Sequence, residues 1–176
     1  MGLVTMEAAP AAVALNEVKA FLRLATSDED ALIAGFVRSA SMACETFTGL
    51  TLVAREVRET VVPGAWRRLE AAPVQAIETV SAVSADGAET VMAAESYRID
   101  IDAAGDGWVR VPSTECRARV GYIAGLAADW NGLPEPLRQG IVRLSAHLYS
   151  ARGTADAPPP ACVAALWRPW RRMRLG

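Results

Sequence analysis

The spacing of apolar residues changes twice along the chain, and this change limits the fold more than any other sequence feature. Across residues 28–47 apolar side chains recur every three or four positions, as in an amphipathic helix, and Gly49 supplies a typical helix end. After Gly49 the period falls to about two, as in strands, until about Gly125. Helical spacing returns after Leu133. The sequence therefore predicts an α+β fold, in which an antiparallel β module of residues 51–125 is inserted into a small helical bundle.

Four helices are predicted, near residues 15–24, 28–48, 135–152 and 160–168. The second should begin after an N-cap at Ser27, because the acidic residues that follow suit the positive end of a helix dipole. Its apolar face is predicted to hold Leu32, Phe36, Ala40, Ala43 and Phe47. The apolar positions of the first helix are Leu15, Val18 and Leu22, and those of the third are Leu137, Ile141, Leu144 and Leu148. Pro134 and Pro136 mark the start of the third helix, since proline is tolerated in a first helical turn.

Two hairpins are predicted inside the β module. Asp86-Gly87 separates two β-prone runs, and glycine accepts the positive φ of a tight hairpin. A second reversal is predicted at residues 104–107. Residues 97–102 and 117–123 alternate between apolar and polar side chains, so both are expected to be half-buried strands.

A length of 176 residues fits one domain of ordinary size and excludes most two-domain enzymes. We expect one domain across residues 1–176: an N-terminal arm (1–13) that is flexible unless a partner holds it, a helical part (14–49), the β module (50–125), a core helix (133–152) and a proline-joined C-terminal part (153–176). The chain has no apolar stretch long enough for a membrane span and begins without the pattern of a signal peptide. We therefore expect an intracellular protein with no membrane partner.

Charge is distributed unevenly along the chain. The net charge is −2 and the isoelectric point about 5.5, which gives no overall attraction for nucleic acid. Residues 135–176 nevertheless carry seven arginines against two acids, a charge of +5, and the remainder carries −7. The three cysteines, Cys44, Cys116 and Cys162, are odd in number and far apart, so free or buried thiols in a reducing compartment are expected.

Residues that could support catalysis or hold a metal are few. His147 is the only histidine, and it lies off the leucine stripe of its helix, which favours a surface or interface residue over a catalytic base. Residues 100–111 resemble a calcium loop, but Ala104 and Val111 stand where that loop needs oxygen ligands, so a plain hairpin is favoured. No phosphate-binding or nucleophile-elbow motif is present. We predict no catalytic residues, no cofactor and no metal.

The C-terminal segment is the candidate binding site. Two tryptophans lie among four arginines there, a composition that can stack on apolar groups and pair with carboxylates: Trp167, Arg168, Trp170, Arg171, Arg172 and Arg174. Three interpretations remain open. The segment can dock in an acidic groove of a protein, contact DNA phosphates, or be a solvated tail that packs one tryptophan on its own domain.

Several strings in collinear order resemble the head-tail connector, or adaptor, proteins of long-tailed phages and of phage-derived gene transfer agents. They are residues 15–24 (LNEVKAFLRL), 27–33 (SDEDALI), 43–49 (ACETFTG), 97–100 (YRID), 120–125 (VGYIAG), 133–141 (LPEPLRQGI) and 169–175 (PWRRMRL). Together they cover nearly the whole chain. One departure is Trp170, where the family more often has tyrosine.

The resemblance implies a structural, non-enzymatic protein that forms a twelvefold ring in the neck of a virion or gene transfer agent particle. Such a ring lies between the portal protein and the stopper, head-closure or tail protein. It continues the channel through which double-stranded DNA passes without sequence-specific binding. The resemblance also makes the portal the expected partner of the C-terminal segment, from about Pro160 onward. The alternative is a small nucleic-acid-binding protein that uses the basic C-terminal tail.

Overall fold

The computed structural model describes residues 4–6, 12–112, 117–151 and 160–172. These residues form two compact units. The β unit contains residues 4–6, 53–112 and 117–126, and the helical unit contains residues 12–52, 127–151 and 160–172. Among the described helices, none combines the length and the apolar character that crossing a membrane requires.

The helical unit contains the four predicted helices, which confirms the α+β class. Their bounds are α1 Ala12–Leu22, α2 Asp30–Thr48, α3 Glu135–Ser150 and α4 Ala161–Trp167. Pro136 lies in the first turn of α3, and Gly49 ends α2 in the left-handed conformation (φ 71°), donating its N–H to the Glu45 carbonyl at 2.8 Å. An ion pair of 2.6 Å between Lys19 and Asp30 ties the end of α1 to the start of α2.

Two details predicted for α2 are wrong. Its buried face holds Ile33, Val37, Ala40, Cys44 and Thr48, and of the predicted stripe only Ala40 is buried. Both stripes contain apolar residues and differ by one position, so the packing of α1 and α3 on the helix selects between them. The N-cap is Glu29 without a side-chain cap bond, because residues 27–29 form a turn in which the Ser27 carbonyl accepts the N–H of Asp30 at 3.2 Å.

The β unit consists of antiparallel strands in two sheets. The strands are β1 Val4–Met6, β2 Arg55–Val61, β3 Arg67–Arg68, β4 Val74–Val83, β5 Glu89–Val91, β6 Arg98–Ile101, β7 Gly107–Arg110 and β8 Arg117–Ala124. Their order is β1-β2-β8-β4-β5 in the first sheet and β3-β7-β6 in the second. Both predicted hairpins are confirmed: Gly87 lies between β4 and β5, and Gly105 between β6 and β7, each with positive φ.

The structure corrects the sequence interpretation at two strands. Within the predicted arm of residues 1–13, Val4–Met6 form β1 on the edge of β2, and Ala12 already belongs to α1; the rest of the arm up to residue 11 lies outside the described residues. All four residues of β6 are exposed, although a half-buried strand was expected. The reason is its place as an outer strand of the three-stranded sheet, paired with β7.

A buried carboxyl group lies beside the apolar core of the β unit. Glu59 on β2 is 5% exposed, and its Oε2 accepts hydrogen bonds from the Tyr122 hydroxyl (2.8 Å) and the Glu70 N–H (2.9 Å). The Tyr122 hydroxyl in turn accepts the Ala71 N–H at 3.2 Å. Burial is the main reason why the pKa of Glu59 lies above its ordinary value, and why the pKa of Tyr122 is raised as well. The pair fastens the connection between β3 and β4 to the first sheet.

Candidate functional site

The candidate C-terminal segment is folded onto the helical unit over its described part. Pro160 precedes α4 and accepts the N–H of Val163 at 3.0 Å, and a 3-10 helix, Arg168–Trp170, continues directly from α4. Val163 and Trp167, four residues apart and therefore on one face of α4, are both buried. This face holds the segment on α3.

Trp167 is a core side chain. It is 3% exposed, and its Nε1–H donates to the Leu137 carbonyl at 3.3 Å. Its ring lies 5.9 Å from the ring of Phe47, centroid to centroid, at 54°. The indole fills a notch at Gly140, because a Cβ at that position would come within 2.0 Å of Nε1. The sequence left three interpretations of the segment open. The position of Trp167 agrees with one of them, a tail that packs one tryptophan on its own domain.

The next residues reach the C-terminal end of α2. The Arg172 N–H donates to the Thr48 carbonyl at 2.8 Å, which satisfies one of the last carbonyls of the helix. The Arg171 guanidinium lies 5.9 Å from the Phe47 ring centroid, in cation–π range. A helix C terminus carries partial negative charge, so these two arginines lie where a cation is favoured.

The five described side chains of the predicted six are therefore in different environments. Trp167 is buried, Arg168 and Arg171 are exposed, and Trp170 and Arg172 are half-buried. Arg174 lies outside the described residues. The exposed Arg168 and Arg171 therefore project from a segment that the buried Trp167 holds on the helical unit.

Asp102 and His147, the possible calcium ligand and the possible catalytic base in the sequence, lie in the β6–β7 hairpin and in α3. Among the described residues, no group of three or more histidine, cysteine, aspartate or glutamate side chains is arranged to hold a metal ion. The Asp102 carboxylate accepts the N–H groups of Ala104 and Asp106 and the indole N–H of Trp108, all within 3.1 Å, so it closes the β6–β7 hairpin. His147 is half-buried in the last turn of α3.

The two described cysteines are free thiols. Cys44 is buried, and burial raises its pKa to about 12, which keeps the thiol protonated and unreactive at neutral pH. Cys162 is exposed on α4, and Cys116 lies outside the described residues.

The sequence analysis missed a second tryptophan-arginine string, Trp66-Arg67-Arg68, in the β unit. Trp66 is exposed there and both arginines are exposed on β3. A search for a repeated local string would have found it, because residues 170–172 have the same order of residue types.

Comparison with known proteins places these features in a family. The profile of the phage gp6-like head-tail connector protein family matches residues 13–101. Among solved structures, a chain in the neck of an empty gene transfer agent particle computed with C6 symmetry is 28% identical, with a TM-score of 0.80. A chain in the virion of a native gene transfer agent particle is 29% identical with a TM-score of 0.80, and one in the neck of a native particle computed with C12 symmetry is 28% identical with a TM-score of 0.76.

Each of these three matches covers 98% of this chain and 97% of the other. No curated protein matches. Because the family profile spans half of the chain and the similar structures span nearly all of it, the chain belongs to the phage gp6-like head-tail connector family.

Proposed function

We propose that the protein is a structural adaptor in the neck of a phage or gene transfer agent particle. In this role it forms a ring, twelvefold as the resemblance implies, between the portal and the stopper or tail protein. The observation that carries the proposal is the nearly complete, collinear similarity to chains of gene transfer agent necks, two of which were computed with C6 and C12 symmetry. The protein acts by assembly, without catalysis.

Net charge supports the further proposal that the ring continues the DNA channel. A subunit with an isoelectric point of about 5.5 attracts DNA weakly, so DNA can pass without being retained. We do not expect sequence-specific contacts.

We also propose that the C-terminal segment docks on the portal. The supporting observation is its geometry: a buried anchor at Trp167 and a backbone bond from Arg172 to Thr48 hold Arg168 and Arg171 on the surface. A preorganised segment loses little conformational entropy on binding, and exposed arginines pair well with carboxylates on a partner. The portal site should therefore be acidic.

The ring proposal is tested by counting this chain against the portal subunit in purified particles by quantitative mass spectrometry. A ring stacked on the portal axis requires about one copy per portal subunit. Absence of the chain from clean particles would contradict the adaptor role. It would favour the alternative, a nucleic-acid-binding protein that uses the +5 charge of residues 135–176.

Portal docking needs a variant that keeps the helical unit folded. Deleting residues 160–176 removes the buried Trp167, so loss of attachment would not separate docking from unfolding. The double variant Arg168→Glu/Arg171→Glu changes exposed side chains and keeps the buried Trp167. Because it removes the Arg171–Phe47 contact, thermal unfolding checks that the variant is folded. We expect about a hundredfold weaker binding to purified portal, because two favourable charge contacts become repulsive. Arg38→Glu, an exposed change on α2, is the control, and equal portal binding by both variants contradicts docking through this segment.

A further inference from the structure

The β unit exposes its large apolar side chains at two edges. Among its described residues, five such side chains are 40% exposed or more: Val62 (63%), Trp66 (44%), Val91 (71%), Ile99 (45%) and Ile101 (40%). The first two lie in the loop between β2 and β3, and the other three lie on β5 and β6. Scattered exposed apolar residues are ordinary on protein surfaces, whereas grouping at edges marks a contact surface.

The first group belongs to a basic surface, which we call the basic edge and define as residues 62–68. It has two arginines and no acid. Its loop is fixed from within: the Gly64 N–H donates to the Val111 carbonyl at 2.8 Å, and the Arg67 Nε–H donates to the Val62 carbonyl at 3.4 Å. Trp66 is therefore displayed from an ordered loop, as is typical of anchor residues in protein interfaces.

The second group belongs to an acidic surface, which we call the acidic edge and define as residues 86–101. It has four acids and one arginine, Arg98, and one of the acids, Glu89, is ion-paired with Arg119 of its own subunit. Arg98 is held by its own backbone, because its guanidinium donates to the carbonyls of Glu95 (3.0 Å) and Tyr97 (2.8 Å). β5 is an outer strand of the first sheet and β6 an outer strand of the second, and only six residues join them, which limits the distance between the two strands.

The strand order separates the two edges. β3, which ends the basic edge, and β6, which ends the acidic edge, lie on opposite sides of β7. A head-to-tail contact requires two different complementary surfaces on one subunit, and such contacts close rings when the rotation between subunits allows it. The two edges match in both properties, since each has exposed apolar side chains and their charges are opposite.

We infer that the basic edge of one copy packs on the acidic edge of the next copy around the ring. In this contact Trp66 and Val62 cover the apolar side chains Val91, Ile99 and Ile101, while Arg67 faces the carboxylates of the neighbour. Arg68 lies 3.8 Å from the Asp106 carboxylate of its own subunit. The inference rests on the ring proposed above and adds the surface that joins its subunits. DNA is a poorer occupant, because the basic edge has only two cations and displays apolar groups that phosphates do not match.

The contact is tested by placing a photo-crosslinking residue at one exposed position in assembled particles. The variant Val62→p-benzoylphenylalanine is expressed in producing cells as the only copy, and its presence in purified particles is measured before irradiation. After irradiation we expect dimers, trimers and longer multimers of this chain, with the crosslinked peptide inside residues 86–101 of another copy. The same replacement at Met42, an exposed residue of α2, is the control and should give no crosslink to that peptide.

The outcomes separate this contact from the proposed function. If the chain is in the particles but position 62 crosslinks to another protein, only forms dimers, or does not crosslink, the contact is wrong and the adaptor role stands. If the natural chain is absent from the particles, both the contact and the adaptor role are wrong. If only the Val62 variant is absent, position 62 lies in an assembly contact and the adaptor role stands.

A charge exchange provides a second measurement that does not need the photo-crosslinker. Arg67→Glu puts like charges in the contact, and we expect about a tenfold reduction of copies per portal in particles. The second change Glu95→Arg in the same chain should restore most of the loss, because every contact in the ring then has opposite charges again. Thermal unfolding of the purified variants checks that they are folded. Unchanged copy number for Arg67→Glu would overturn the inference.

Discussion

The two units close their cores by different chemistry. The helical unit is closed by an indole, because Trp167 fills the notch at Gly140 and its indole N–H donates to the Leu137 carbonyl. The β unit is closed by a carboxyl group and a phenol, Glu59 and Tyr122, that hydrogen-bond each other and two backbone N–H groups. An apolar closure depends on shape, whereas a polar closure depends on satisfied hydrogen bonds and on pH. The two units should therefore respond to different perturbations.

The largest effect is expected from Trp167→Ala. Removing a buried tryptophan leaves a cavity, and such changes cost about 3–5 kcal/mol of the free energy of unfolding. Hydrogen exchange with mass spectrometry should show the main loss of protection in the amides of α3 and α4. Amides of β4 and β8 should lose less protection, because Trp167 belongs to the core of the helical unit and not to that of the β unit.

Trp170→Ala is the matched control for that variant. Trp170 is half-buried and lies three residues after the anchor, so its truncation should cost clearly less. Equal losses for the two substitutions would mean that Trp167 is not the closing residue of the helical unit.

A smaller effect is expected from Tyr122→Phe in the β unit. The change preserves the ring and removes the hydroxyl that donates to Glu59 and accepts the Ala71 N–H. Leaving buried polar groups without a partner costs about 1–3 kcal/mol, and urea unfolding measures it. Tyr97→Phe, which removes a hydroxyl from a half-buried ring against the same core, is the control. If both variants unfold at the same urea concentration, the Tyr122 hydroxyl contributes nothing particular to the closure.

The sequence predicted elements whose causes are local. Gly49 ends α2, the Pro-Glu-Pro string begins α3, and Asp86-Gly87 makes the β4–β5 turn, because each depends on backbone preferences of a few neighbouring residues. The antiparallel arrangement follows from such short turns. These local backbone preferences were enough to predict the α+β class.

Contacts between distant residues could not be predicted in the same way. Ile33 and Val37 are buried instead of Leu32 and Phe36 because other helices pack on that side of α2. The tryptophans of the C-terminal segment look equivalent in the sequence. They differ in the fold because the carbonyl that accepts the Trp167 N–H is 30 residues earlier in the chain. The candidate site was therefore predicted as a segment, but the roles of its side chains were not.

The smallest effect, and the one most specific to the β unit, is a pH dependence that Glu59 creates. Burial raises the pKa of this carboxyl in the folded protein, so the folded state binds its proton more tightly than the unfolded state does. The stability that this contributes is fully present below the ordinary pKa of a glutamate and is lost as the pH rises through the raised, folded value. Glu59→Gln should remove this part of the pH dependence at little cost, because both hydrogen bonds end on one carboxylate oxygen that an amide oxygen can replace.

The measurement is urea unfolding of the natural protein and of Glu59→Gln from pH 4.5 to pH 8. The difference in free energy between the two should move in favour of the glutamine variant as the pH rises, because only the natural protein then carries a buried negative charge. The exposed change Glu78→Gln on β4 provides the baseline, since its side chain is solvated in both states. Parallel curves for all three proteins would show that Glu59 keeps its charge in the core without cost. The closures of the two units would then differ in shape but not in their response to pH.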